Sequence, residues 1–314
     1  MSALRRLPVL LVSALLSVSL AACGDEPAPA DPTKERLDAV DISGDVGDEP
    51  KVTWSSQMTA GKIESKTLVT GDGAKLEDGD QVLAHLWIGN GFTQKAAFST
   101  HDKDANAELV SVDESLPPFL AAVKGATIGS RIAVTSSAED AFGAAGNSQL
   151  GIANKDSVLV IVDLASGIDD GPTGTRPPAP PWVPALKFTK RKVSGFDFEG
   201  VPAPTGKLQK AVLFEGDGPV VEKGKAVVVS YLGQVYNGEK PFDENFSTGK
   251  PTSFGIGTGK VIKGWDQTLV GATVGTRLVI AVPPDLGYGK AGNPDAGIKP
   301  IDTLYFVIDV RATA

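Results

Sequence analysis

Two stretches of this chain repeat one series of short motifs in the same order, and this duplication limits the possible fold more than any other feature. Gly71-Asp72-Gly73, Gly79-Asp80 and the alternating run 82–88 are answered by Gly216-Asp217-Gly218, Gly224-Lys225 and the run 227–235. Further on, GATIGSRIAV (125–134) matches GATVGTRLVI (271–280), and SSAEDAFGAAGN (136–147) parallels VPPDLGYGKAGN (282–293). Last, DSVLVIVDL (156–164) matches DTLYFVIDV (302–310). Matches that keep both order and spacing mark two copies of one structural unit. Between them lies GIDDGPTGTRPPAPPWVP (167–184), whose six prolines favour an extended, semi-rigid connection.

Within each copy the apolar period is mostly two. Residues 227–231, 277–282 and 303–310 read as strands rich in β-branched side chains. One short helix is expected over 264–270, ended near Gly271. The class is α+β, and the simplest architecture for each copy is an antiparallel sheet with one short helix packed on a face. Composition agrees: 36 Gly, 22 Pro and 6% aromatic residues suit turn-rich β structure better than a helical bundle. The net charge is −8 and no Lys/Arg cluster stands out, which argues against a nucleic-acid partner.

The N-terminus has the form of a targeting segment. Arg5 and Arg6 precede an apolar stretch of 14 residues, 7–20, shorter than the ~20 a spanning helix needs. It runs into Leu20-Ala21-Ala22-Cys23, which resembles a bacterial lipobox, and Cys23 is the only cysteine. A plain secretory signal is the alternative. The expected organisation is a signal peptide (1–22), lipidation at Cys23 and a disordered tether (23–50) rich in Pro, Ala, Asp, Glu and Gly. One folded unit (51–166), the linker (167–184) and a second unit (185–314) follow. The protein is expected to be exported and held at the cell membrane, facing the exterior or the cell-wall space.

In the second copy, VVVSYLGQVYNGEKPFD, VIKGWDQTLVGATVGTR, PPDLGYG and DTLYFVIDV together resemble an FKBP-type peptidyl-prolyl cis-trans isomerase domain over about 110 residues. The resemblance implies a five- or six-stranded sheet around a short helix and an apolar pocket for proline. It assigns catalytic roles to Tyr231, Phe242, Asp243, Ile262, Trp265 and Tyr288, and substrate contacts to Phe254, Val261, Ile298 and Phe306. Trp265 would be the floor and Tyr288 the flap. Phe254 and Phe306, taken alone, also fit ordinary core packing. Such residues suit the reaction because no bond is broken. An X-Pro amide must only pass a barrier of ~18–20 kcal/mol, and binding its twisted form suffices. Neither a metal nor a cofactor is implied. The implied partners are proline-containing unfolded or extended polypeptides, and macrolide ligands of the family.

Departures are visible too. The family often places an Arg shortly after Phe-Asp, whereas Glu244-Asn245-Phe246-Ser247-Thr248-Gly249 stands here, leaving Asp243 without that partner. The first copy departs further, with Phe119 at the Trp position, Phe142 at the flap Tyr, Leu86 at the strand Tyr and Ala97-Phe98-Ser99 around the Phe-Asp pair. The first copy is therefore expected to have weak or absent isomerase activity, and a non-catalytic chaperone or adaptor is the alternative for the whole protein. GIGTGK (255–260) fails both phosphate-loop spacings. His85 and His101 are too few for a zinc site and read as structural.

Overall fold

The computed structural model describes residues 36–101, 106–112 and 115–314. The expected signal segment, Cys23 and the first part of the tether lie outside the described residues. The first copy runs β1 (Val40–Ser43), β2 (Lys51–Trp54), β3 (Glu64–Val69), β4 (Gln81–Asn90), β5 (Lys95–Ser99), β6 (Glu108–Ser111), α1 (Pro117–Val123), β7 (Arg131–Ser137), α2 (Ala138–Phe142) and β8 (Ser157–Gly167). The second runs β9 (Ala185–Thr189), β10 (Lys192–Asp197), β11 (Gln209–Phe214), β12 (Ala226–Val235), β13 (Pro241–Glu244), β14 (Thr252–Gly255), α3 (Lys263–Leu269), β15 (Arg277–Val282) and β16 (Leu304–Thr313). Each copy closes a six-stranded antiparallel sheet of the same order, β3-β7-β8-β4-β5 with β6 on β4, and β11-β15-β16-β12-β13 with β14 on β12. The repeated motifs thus fold as a repeated topology.

Side-chain alternation sorts each central strand into two faces. Along β16, Leu304, Phe306, Ile308 and Val310 pack with Trp265 and Leu269 of α3, while Tyr305 and Val307 point to the opposite cluster. That back face is not left to water. Val193 and Phe196 of the β9–β10 hairpin cover it, together with Trp182 and Val183. The first copy repeats the device: Leu159, Ile161 and Trp87 lie under Val40, Ile42, Val52 and Trp54 of the β1–β2 hairpin. Burial on both faces explains why these strands read as near-continuous apolar runs.

One expected boundary therefore moves. Residues 36–50, assigned to a disordered tether, supply a 3-10 turn (Arg36–Ala39) and the first strand of this cover. Their few apolar residues find a sheet to pack on, which composition alone does not reveal. The proline-rich linker is likewise docked: the Thr173 amide donates to the Gly275 carbonyl at 2.8 Å, and Thr175 bridges to Glu215. The two sheets also meet. Leu83 and Ala107 share a buried cluster with Ala226, Val228 and Ala312, and the Asp169 amide donates to the Arg311 carbonyl at 2.9 Å.

One ion pair recurs in both sheets. Arg131 faces Asp163 across β7 and β8, and Arg277 faces Asp309 across β15 and β16. In the first copy both side chains are sealed from solvent, with guanidinium–carboxylate distances of 2.6 Å. The same guanidinium donates to the Gly44 and Asp48 carbonyls, and Asp163 accepts the Gly47 amide, which pins the β1–β2 loop. His101 approaches Asp163 at 3.3 Å and stacks on His85 with ring centres 4.9 Å apart, so both histidines belong to this structural network.

Candidate active site in the second domain

The concave side of the second sheet holds an aromatic cage. Trp265 opens α3 and is 4% exposed. Tyr231, Phe254 and Phe306 stand edge-on to it, with ring centres at 5.3, 5.4 and 5.4 Å and interplanar angles of 85°, 79° and 85°. Phe242 stands edge-on to Phe306 at 5.6 Å. Edge-to-face pairs of this kind contribute ~0.5–1.5 kcal/mol each beyond burial, so the walls are rigid before any ligand arrives. The indole Nε1 is buried without a protein hydrogen-bond partner. A cavity of about 140 Å³ opens above Trp265, completed by Asp243, Val261, Ile262 and Tyr288.

Two glycines make this closeness possible. A Cβ on Gly264 would lie 2.6 Å from Val282, so only glycine lets the start of α3 approach β15 this closely. A Cβ on Gly233 would reach within 2.5 Å of Phe242 and 2.7 Å of Phe306.

Polar groups at the rim are few, and two of them hold each other. The Tyr231 hydroxyl donates to Asp243 at 2.6 Å. Burial, and then the neighbouring carboxylate, push the Tyr231 phenol well above its ordinary range, so it stays a donor. Asp243, without the family's usual Arg nearby in sequence, is thus partnered by Tyr231. Asn245 fixes the backbone beneath: it accepts the Tyr231 amide at 2.8 Å and donates to the Val229 carbonyl at 3.1 Å. Asp266 accepts the amides of Gly257 and Gly259 at 2.7 and 2.8 Å, tying the GIGTGK loop to α3 just ahead of Val261 and Ile262. Sequence reasoning missed both residues as positioning groups. Asx-type and helix-start acids are common, and only tertiary placement distinguishes these two.

Nine of the ten expected site residues line this cavity. The exception is Ile298, which is 3% exposed and packs in the core beneath the flap, where its amide donates to the Asn293 carbonyl. It supports the flap instead of meeting a ligand. Tyr288, at 37% exposure, begins a 3-10 turn in that flap.

The first copy offers no such rim. The register that pairs Gly233 with Asp243 pairs Ile88 with Phe98, so a phenyl ring stands at the carboxylate position. Leu86 is buried, and Phe119 and Phe142 pack against the same core. Among the described residues no cluster of three or more His, Cys, Asp or Glu side chains is arranged to hold a metal ion.

Comparison with known proteins converges on the second copy. The family profile described as FKBP-type peptidyl-prolyl cis-trans isomerase matches residues 218–311. An FK506-binding protein of Streptomyces anulatus is 40% identical over 116 residues, covering 37% of this chain and 93% of that protein. FK506-binding protein 2 of Dictyostelium discoideum is 39% identical over 110 residues, covering 34% of this chain and 80% of that protein. Among solved structures, a peptidyl-prolyl cis-trans isomerase from Pseudomonas syringae is 30% identical, covering 34% of this chain and 75% of that one, with a TM-score of 0.31.

Proposed function

The chain belongs to the FKBP-type peptidyl-prolyl cis-trans isomerase family, and from that premise we propose that the Trp265 cavity of the second domain rotates X-Pro bonds of polypeptide substrates. The observation that carries this reading is the aromatic cage around one buried indole, with a single carboxylate at its rim.

The proline ring lies against Trp265, walled by Tyr231, Phe254 and Phe306. Uncatalysed rotation takes tens to hundreds of seconds because amide resonance resists it. The twisted amide has lost that resonance and much of its charge separation. A dry aromatic surface therefore disfavours the planar forms more than the twisted one, and this difference is what accelerates rotation. The Ile262 backbone N–H and the Tyr288 hydroxyl hold the substrate carbonyls. Asp243 keeps the Tyr231 ring at its wall through the 2.6 Å hydrogen bond. Each tenfold in rate requires only ~1.4 kcal/mol of such differential binding.

The first domain is non-catalytic in this reading, since Leu86, Phe98 and Phe142 replace the site's polar rim and Phe119 its indole floor. The N-terminal sequence extends the proposal to an exported folding factor, anchored through a lipid on Cys23, whose clients are proline-containing unfolded or extended polypeptides. Macrolides of the FK506 type, for which the relatives are named, are expected to compete for the cavity.

The test is X-Pro exchange measured by NMR on the full chain, with and without such a macrolide. Trp265→Ala is expected to lower kcat/KM at least about tenfold while circular dichroism is retained. Full activity in that variant removes the assignment. Fractionation of a Cys23→Ser variant checks the anchor, and a variant that remains at the membrane overturns it.

A further inference from the structure

The edge of the second domain carries a charge pattern that the aromatic cavity does not use. Strands β9 and β10 are joined by only two residues, Lys190 and Arg191, because Thr189 pairs with Lys192. Both have positive φ, 50° and 69°. Such two-residue turns favour Asn-Gly, since a side chain in this conformation is strained. Here the strained positions hold two long cations, flanked by Lys187 and Lys192, and all four are exposed. In a chain of net charge −8 this is a local reversal of sign. It is also the basic cluster that sequence reading passed over.

The hairpin tip faces β13 across a groove of about 640 Å³. Lys190, Lys192 and Lys240 line it, against Glu244 as the one lining carboxylate. Glu244 is already engaged by the Ser247 amide and hydroxyl at 2.8 and 2.6 Å, and Lys192 donates to the Ser247 carbonyl at 2.8 Å. The β9–β10 hairpin packs on the back face, so the groove and the aromatic cavity flank the edge strand β13 from its two sides. A further concavity shares Lys240 and Pro241 with the groove, and Phe242 with the cavity. β13 ends the sheet order beside β12. At ~3.3 Å per residue, an extended peptide crossing β13 from the cavity enters the groove within a few residues of its proline.

We propose that this groove binds carboxylates of the polypeptide whose proline occupies the Trp265 cavity, so that X-Pro segments flanked by Asp or Glu are the preferred substrates. The inference rests on the isomerase reading above and adds the class of sequence around the proline.

The experiment uses the full chain and peptides with one shared X-Pro core, carrying a Glu, Ser or Lys tail on either side of it. At about 0.02 M salt the Glu-tailed peptide is expected to exceed the Ser-tailed one in kcat/KM about fivefold, and the ratio should collapse near 0.5 M. Lys190→Asn with Arg191→Gly, combined with Lys240→Gln, should abolish the ratio. The Asn-Gly turn keeps the hairpin geometry, so loss of fold does not confuse the result. Equal rates for Glu and Ser tails in the unmodified chain, or a ratio unchanged in the variant, overturn the proposal. So does a variant that loses binding to phosphatidylglycerol vesicles while no tail preference exists, which would give the groove to a membrane. If no peptide is isomerised at all, the isomerase reading fails instead. The groove is then still decided by the Kd ratio of the same peptides in fluorescence anisotropy.

Discussion

The two Arg–Asp pairs contribute to stability with opposite dependences on acid. Burial alone would raise the Asp163 carboxyl. The Arg131 hydrogen bonds, His101 and the Gly47 amide outweigh it and bring the pKa from 3.8 to about 2. A carboxylate depressed in the folded state stabilises the fold above its unfolded pKa, and that contribution disappears as pH falls through the folded value. At ~1.4 kcal/mol per tenfold in proton affinity, the pair contributes about 2 kcal/mol at neutral pH, present above 3.8 and lost towards about 2. Asp309 behaves the other way. Its burial raises its pKa despite Arg277, so its ionised form costs stability at neutral pH and the cost is relieved on acidification. The perturbation is Asp163→Asn. It leaves Arg131 buried without a counter-charge, which typically costs ~3–5 kcal/mol, a large part of a domain's ~5–15. Trp54 and Trp87 lie in the same back-face layer and report on it, once Trp182 and Trp265 are replaced by Phe. Urea unfolding followed by their fluorescence should show a wide gap between parent and variant at pH 7, narrowing between pH 4 and 2. A gap below about 1 kcal/mol at pH 7, or one that does not change with pH, refutes the reasoning.

Two further substitutions probe how the candidate site is held. Gly264→Ala places a methyl 2.6 Å from Val282, and overpacking of this kind costs ~1–3 kcal/mol; calorimetry should show a lower Tm for the second domain. Asp266→Asn removes the charge that holds the Gly257 and Gly259 amides. Charge-assisted bonds are about twice as strong as neutral ones, so the loop before Ile262 loosens, and KM for X-Pro peptides should rise severalfold with kcat little changed.

Much of this was legible in the chain itself, for local reasons. The β-branched runs at 227–231 and 277–282 are central strands whose pattern needs no partner to be read, and they appear within β12 and β15. Trp265 beside Gly264 marks an aromatic at a close approach, and the structure makes it the cavity floor. Other features depend on register, which a sequence does not display. The Tyr231–Asp243 bond exists because β13 lies on β12 with Gly233 opposite Asp243. Ile298 was expected as a substrate contact from the resemblance alone, but the Asn293–Ile298 bridge turns it into the core. The β1–β2 hairpin escaped notice because four-residue strands around an acidic turn carry too little alternation. Lys190-Arg191 lacks the Asn-Gly chemistry by which short turns are recognised.

The twice-used Arg–Asp pair has a consequence for how the copies diverged. Each pair is an inherited socket with bonding capacity beyond its own ion pair, and each copy has plugged it differently. In the first, Arg131 captures a loop from outside the repeated motifs, at Gly44 and Asp48. In the second, Arg277 lies 5.8 Å from the ring centre of Phe246, in the loop that follows Asp243, and so steadies the segment next to the carboxylate of the cavity. The same ion pair thus anchors the back-face hairpin in one copy and the loop beside the cavity carboxylate in the other.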